Sequence, residues 1–306
     1  MIKAVEKLRA LVALSRPPFH SVGVLPFILG AVLAWLQKGM LRWDIFAWGT
    51  VGVVLVMLTT YYAGEYWDYK EDSLAARQGS SRFSGGSQVL QRGLLSRRAA
   101  LWASLASMLL AIGVGLILQF GYRTGLWTLT LGVLGLLGGF FYSAGPVRWV
   151  NRGVGEVWIA FCYGWLPVAV GYYLQAAEVT SLINWIAVPI GLTIFNVILL
   201  NEFPDYAADS AAGKTNLAVR LGLDRASILY GFASIGSCLA MLLSIIYGVP
   251  IRALWIYLPI MALSLLLVVL VIGKRWRNRA MLEKLCGANL IVNLGTTATY
   301  ILALVS

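Results

Sequence analysis

The residues best placed to do chemistry belong to one nine-residue pattern that occurs twice. Glu65-Tyr66-Trp67-Asp68-Tyr69-Lys70-Glu71-Asp72-Ser73 and Glu202-Phe203-Pro204-Asp205-Tyr206-Ala207-Ala208-Asp209-Ser210 both carry acids at offsets 0, 3 and 7. At about 100° per residue a continuous helix would put all three carboxylates of a copy on one narrow face. Like charges so placed repel and call for a cation among them. A single copy reads better as a solvated acidic helix end. Two copies with one spacing, holding seven of the chain's 13 Asp and Glu residues, point to a cation site. The expected metal set is Glu65, Asp68, Asp72, Glu202, Asp205 and Asp209, with the four aspartates carrying catalysis. All are oxygen donors, which favours Mg²⁺ over zinc.

The elements that hold these acids must be membrane helices. Of the 306 residues, 59% are hydrophobic and only 12% charged, and the mean hydropathy is +0.79. No soluble core absorbs that much apolar surface, and runs of about 18–22 apolar residues are helices, not barrel strands. The expectation is an all-α polytopic membrane protein of about nine transmembrane helices, near 20–37, 45–65, 98–119, 125–142, 154–174, 182–202, 226–247, 252–272 and 285–304. An interfacial amphipathic helix over 2–14, with Val5, Leu8, Leu11 and Val12 on one stripe, ends at Ser15-Arg16-Pro17-Pro18. Twenty of the 24 Lys and Arg fall on the side of the N-terminus and of the loops after spans two, four, six and eight. That side is therefore cytoplasmic, in a cell inner membrane, and both acidic stretches lie on it. The net charge of +11 then reflects basic loops near anionic lipid, with no nucleic-acid partner.

A basic face holding two carboxylate clusters suits a metal-bound polyanion, the metal bridging phosphates and cationic side chains taking the other oxygens. Lys214, five residues past Asp209, is within reach of such a phosphate. The polar loop Ser80-Ser81-Arg82-Phe83-Ser84-Gly85-Gly86-Ser87-Gln88 could cradle an anion with its amides, with Arg82 beside it. Tyr142 and Arg148, after span four, join the candidates. Cys162, Cys238 and Cys286 have no metal-ligand spacing and read as small packing residues, and His20 as a packing or loop residue. The two stretches lie 137 residues apart, each after an apolar span and before a basic loop, which predicts pseudo-repeat halves of about 15–150 and 151–306 within one domain.

Asn201-Glu202-x-x-Asp205-x-x-x-Asp209, continuing into Ala212-Gly213-Lys214 and Leu217-Ala218-Val219-Arg220-Leu221-Gly222, resembles the UbiA superfamily of intramembrane prenyltransferases. The branch most alike is that of the 1,4-dihydroxy-2-naphthoate polyprenyltransferases of menaquinone biosynthesis. The resemblance also takes in Ser15-Arg16-Pro17, Tyr142 to Arg148 and Gly153 to Glu156. It implies a horseshoe of nine helices capped on the cytoplasmic side. It further implies Mg²⁺ held by both motifs, a bound polyprenyl diphosphate, an aromatic acceptor, and a cavity open to membrane lipid; Arg82, Tyr142, Arg148, Asn201 and Lys214 would bind the diphosphate or acceptor. The first motif departs from the family's Asn-Asp opening with Gly64-Glu65. Pro146 stands four residues after Tyr142 where some members have Lys, which weakens an assignment to the 4-hydroxybenzoate branch.

The implied chemistry is electrophilic alkylation: the diphosphate leaves, an allylic cation forms in a dry pocket, and an electron-rich ring attacks it. Trp67, Phe140, Phe141 and Tyr142 are candidate aromatic walls. The alternatives are another acceptor, such as 4-hydroxybenzoate, a porphyrin-derived ring or a lipid alcohol, and, in a different class, a cation transporter. A transporter's carboxylates would lie near mid-bilayer, and the span centres here carry no acid.

Overall fold

The structure, a computed structural model, describes residues 4–78, 81–83 and 85–306. Residues 2 and 3 of the expected interfacial helix, and Ser80 and Ser84 of the expected anion cradle, lie outside the described residues. Every regular element among the described residues is a helix. The order is α1 (Ala4–Leu14), α2 (His20–Lys38), α3 (Trp43–Trp67), α4 (Tyr69–Gln78), α5 (Arg97–Gly121), α6 (Trp127–Ser143), α7 (Gly155–Ala176), α8 (Leu182–Asn201), α9 (Tyr206–Ala212), α10 (Leu217–Leu221), α11 (Leu223–Ile246), α12 (Arg252–Ile272) and α13 (Arg279–Val305). Single π-type turns close α5 and interrupt α7.

The ends of these helices follow from local chemistry. Gly39 ends α2 in the left-handed conformation, φ 76°, which a residue without Cβ adopts freely. The side chains of Ser96, Asn216 and Asn278 accept the N–H groups of Ala99, Val219 and Met281, and so cap α5, α10 and α13.

Among the described residues, eight stretches are long and apolar enough to cross a bilayer. The ninth expected span is α6, apolar but only 17 residues long. The molecule is an integral multi-pass membrane protein. Large apolar side chains such as Trp102, Leu109, Phe232 and Val269 stand exposed on its flanks, where lipid is the solvent.

Packing runs around a ring. α2 lies on α7, α3 on α5 and α6, α8 on α11 and α13, α12 on α13, and α13 returns to α2. The α2–α7 contact is backbone-close, since a side chain at Gly30 would run into the Val168 carbonyl and one at Gly171 into that of Phe27. Polar side chains lace the second half together. Asn196 donates to Ser234 Oγ at 2.8 Å, Asn293 to Thr193 at 2.9 Å, and the Tyr230 hydroxyl to Asn289 at 2.9 Å.

Neither acidic stretch forms the continuous helix that its spacing suggested. α3 stops at Trp67 and α4 starts at Tyr69, with Asp68 between them. α8 stops at Asn201, and α9 starts only at Tyr206. In the second copy Pro204 accounts for the break. Each copy also sits at a helix C-terminus, whose dipole is negative, so three more carboxylates along the same axis would be disfavoured.

Candidate active site

The breaks turn the last acid of each copy back toward its partner copy. α4 and α9 pack on each other, and a cavity of roughly 210 Å³ opens where they meet. Asp68, Asp72, Asp205, Asp209, Glu65, Glu202, Asn201, Tyr142 and Lys214 all line it. Two expected residues do not. Arg82 is exposed in its loop and absent from the wall. Arg148 stands behind the wall and reaches the site only through the acids it holds.

In the first copy, the Arg148 guanidinium donates to Asp68 Oδ1 at 3.0 Å and to Glu71 Oε1 at 2.7 Å. Burial works against the Arg148 charge, but Asp68 and Glu71 more than offset it and hold its pKa above the ordinary value. The Ser143 hydroxyl donates to Asp68 Oδ2 at 2.6 Å. Glu65 faces the following loop instead, accepting the Ser87 N–H at 2.6 Å and the Ser87 hydroxyl at 2.9 Å. That loop crosses to the other half, where the Gly85 N–H donates to Asp205 Oδ2 at 2.7 Å. Gly86, at φ +67°, lies so close to the Asp72 carboxylate that a side chain there would collide with it.

In the second copy, Lys214 Nζ lies 3.5 Å from Asp209 Oδ1, and Asn216 Nδ2 donates to Asp209 Oδ2 at 2.8 Å. Burial opposes the Lys214 charge, yet Asp68, Asp209 and Asp72 keep its ammonium well above the ordinary pKa. Burial, with the charges of Asp205 and Asp68, pushes the Asp209 carboxyl up to about 6 against the pull of Lys214. Glu202, like Glu65, turns to its own loop and accepts the Ala218 N–H at 3.1 Å. Both offset-0 glutamates were expected to face a metal; each lines the cavity and gives one oxygen to a backbone N–H, and Glu65 gives its other to the Ser87 hydroxyl.

The donor set still fits a hard divalent cation. Burial raises the Asp72 carboxyl well above its usual range, and the charges of Asp68, Glu65 and Asp205 raise it further. A carboxylate group this short of positive charge is what an oxygen-seeking cation relieves. Among the described residues no three His, Cys, Asp or Glu side chains converge into a closed metal cage. Mg²⁺ commonly keeps waters and binds through one or two carboxylates together with substrate phosphates.

Other wall residues were not foreseen as site residues. Arg16, Phe19, Thr60, Tyr61, Phe83, Ser143 and Tyr163 line the cavity. Of the four aromatics expected as walls, only Tyr142 does; Phe140 and Phe141 pack edge-to-face on each other. An isolated arginine before a proline pair, or a tyrosine within an apolar span, carries no spacing signal. Thr60 and Tyr163 also border a second, apolar cavity of roughly 130 Å³ between α3, α5, α6 and α7, walled by Gly52, Val56, Gly132, Leu136 and Leu166 among others. His20 is absent from the wall, and its ring nitrogen lies 2.9 Å from the Ser15 carbonyl oxygen. The three cysteines are buried and free.

Residues 24–289 match the model of the UbiA prenyltransferase family. A 1,4-dihydroxy-2-naphthoate octaprenyltransferase of Mycobacterium tuberculosis is 28% identical over 235 residues, which is 75% of this chain and 76% of that protein. The enzyme of the same name from Bacillus subtilis is 24% identical over 68% of this chain, and the match spans 65% of that protein, just under two thirds. A solved UbiA homolog from Archaeoglobus fulgidus, bound to GPP and Mg²⁺, superposes with a TM-score of 0.62 at 18% identity, covering 97% of this chain and all of that one.

Proposed function

The chain belongs to the UbiA prenyltransferase family, and from that premise we propose that it transfers a polyprenyl group from its diphosphate to an aromatic ring. We assign 1,4-dihydroxy-2-naphthoate, in menaquinone biosynthesis, as the acceptor. The observation that carries the reading is one cavity lined by the four aspartates of both motif copies, with Lys214 and Arg16 beside them. Thr60 and Tyr163 border both this polar cavity and the neighbouring apolar one, whose lining suits an isoprenoid tail. The names of the two relatives support the acceptor.

Asp68, Asp72, Asp205 and Asp209 would hold Mg²⁺, which supplies positive charge that bridges phosphates and stabilises a leaving diphosphate. Lys214 and Arg16 take phosphate oxygens as charge-assisted donors. Phe19, Tyr61, Tyr142 and Tyr163 exclude water from the allylic carbon, and their ring faces stabilise its developing charge, each by on the order of 1–2 kcal/mol when desolvated. The acceptor ring attacks that carbon through the position bearing its carboxylate, which departs as carbon dioxide.

The same reading counts α6 as a ninth crossing and treats residues 15–150 and 151–306 as repeated halves. The site then lies on the cytoplasmic face with the N-terminus. Cysteines placed in 85–97 or 210–222 should resist labelling from outside intact cells; efficient labelling there would reverse the orientation.

The deciding experiment uses purified protein, Mg²⁺, a labelled series of prenyl diphosphates and a panel of acceptors, read by mass spectrometry. A prenylated naphthoate-derived product is expected. Turnover only with 4-hydroxybenzoate or only with a lipid alcohol would reject the acceptor, and no turnover with any of them would reject prenyl transfer.

A further inference from the structure

Behind the cavity wall, and not part of its lining, Glu156 sits in the first turn of α7 with 0% of its surface exposed. Its Oε1 accepts the N–H of Leu217 at 2.8 Å, and Glu202 Oε2 accepts that of the next residue, Ala218, at 3.1 Å. The remaining oxygens, Glu156 Oε2 and Glu202 Oε1, are buried with no N–H or O–H partner. Glu202 is buried beside Glu156 with no donor on its Oε1, which disfavours its charged form. Burial and then Glu156 accordingly push the Glu202 carboxyl well above its usual range.

Backbone held at Leu217 and Ala218 fixes the residues just before it. Asn216 and Lys214 both reach Asp209, and Lys214 enters the cavity. The turn leading into α7 adds a second hold on the same segment, because the Thr215 hydroxyl and the Arg220 guanidinium donate to the Asn151 carbonyl at 2.7 and 2.9 Å.

We propose that Glu156 is a positioning residue: together with Glu202 it clamps the backbone of Leu217 and Ala218, and so sets Lys214 and Asn216 against the anion held in the cavity. The assignment rests on the reading that this cavity takes a prenyl diphosphate. Glu156 touches neither substrate nor metal, and it acts through the segment it holds.

The test uses the full-length enzyme with Mg²⁺ and prenyl diphosphate. Glu156→Ala should raise KM for the diphosphate about tenfold and leave kcat within about twofold, as loss of uniform binding does. Amide hydrogen exchange at Leu217 and Ala218 should quicken while α8 stays protected. Glu156→Gln should restore both, since its amide oxygen still accepts from Leu217. In a Lys214→Ala background, Glu156→Ala should add no more than about twofold, the pattern of two residues acting through one contact. If Glu156→Ala does not fold, Glu156→Asn, one methylene too short to reach Leu217, takes its place with the same expectations.

A Gln variant as impaired as Ala, an unchanged KM despite faster exchange, or losses that multiply in the Lys214→Ala background would each overturn the proposal. Wild-type protein with no turnover would overturn the prenyltransferase reading instead. Exchange at Leu217 and Ala218, slow in wild type, fast in Ala and slow again in Gln, would then still decide the clamp.

Discussion

The first acidic copy gives its middle aspartate to a guanidinium, whereas the second gives its last aspartate to an ammonium. Asp68 is gripped by Arg148 from outside the cavity, and Asp209 by Lys214 from within it. The spacing of the acids is the same, but their counter-ions come from unrelated places: the loop after α6 in one half, the loop after α9 in the other. Both offset-0 glutamates hold the loop that follows their own copy, Glu65 at Ser87 and Glu202 at Ala218. The repeated feature is therefore a carboxylate pair facing a shared cavity plus a glutamate that fastens a loop. The difference is that Lys214 can meet a bound phosphate directly, while Arg148 orients Asp68 and neutralises Glu71.

Four measurements break or sharpen that comparison. Removing divalent metal strikes both copies at once, so chelation should take turnover to background, and added Mg²⁺ should restore it. Next, Asp68→Asn and Asp205→Asn should each lower turnover by roughly 10²-fold or more. The double variant should be little worse than either single, because groups acting as a unit are not additive. Near-normal activity in one variant would show that the copies are not equivalent walls of one site.

Smaller effects separate the two cations. Lys214→Ala should raise KM for the prenyl diphosphate about tenfold as a lost phosphate contact. Arg148→Ala should instead lower kcat by about three- to tenfold, because Asp68 loses its orienting partner and Glu71 keeps a buried charge. An identical KM–kcat pattern for the two would erase the distinction drawn here. The smallest change belongs to Glu65→Gln. Its amide oxygen still accepts from Ser87, so turnover should fall by no more than about twofold to threefold, well short of Asp68→Asn. A loss as large as that of Asp68→Asn would make Glu65 a metal ligand after all.

Apolar and charge patterns along the chain already carried the membrane class, eight of the nine expected span positions and the pairing of two acidic stretches. Apolar run length and the spacing of charges are one-dimensional quantities set by the bilayer and by the ion, and they survive folding. α12 was expected at 252–272 and stands at Arg252–Ile272; α5 and α8 fall within a few residues of their expected bounds. Lys214 and Asn201 were also legible as cavity residues, because they adjoin the acids in the chain.

Only the tertiary structure decided which oxygen faces what. The breaks at Asp68 and at 202–205 depend on helix dipoles, on Pro204 and on the docking of α4 against α9, so face arithmetic on a continuous helix did not show that Glu65 and Glu202, though in the cavity wall, also hold loop donors. Tyr61 and Tyr163 come to the wall from α3 and α7 with no local pattern to mark them, and Arg16 comes from the turn before α2, marked in the sequence only as part of Ser15-Arg16-Pro17. Arg148 reaches Asp68 across 80 residues, and Glu156 reaches Leu217 across 61. Such pairings come from packing a ring of helices, where an unsatisfied polar group in a dry interior is too costly to leave alone, and that constraint acts in three dimensions.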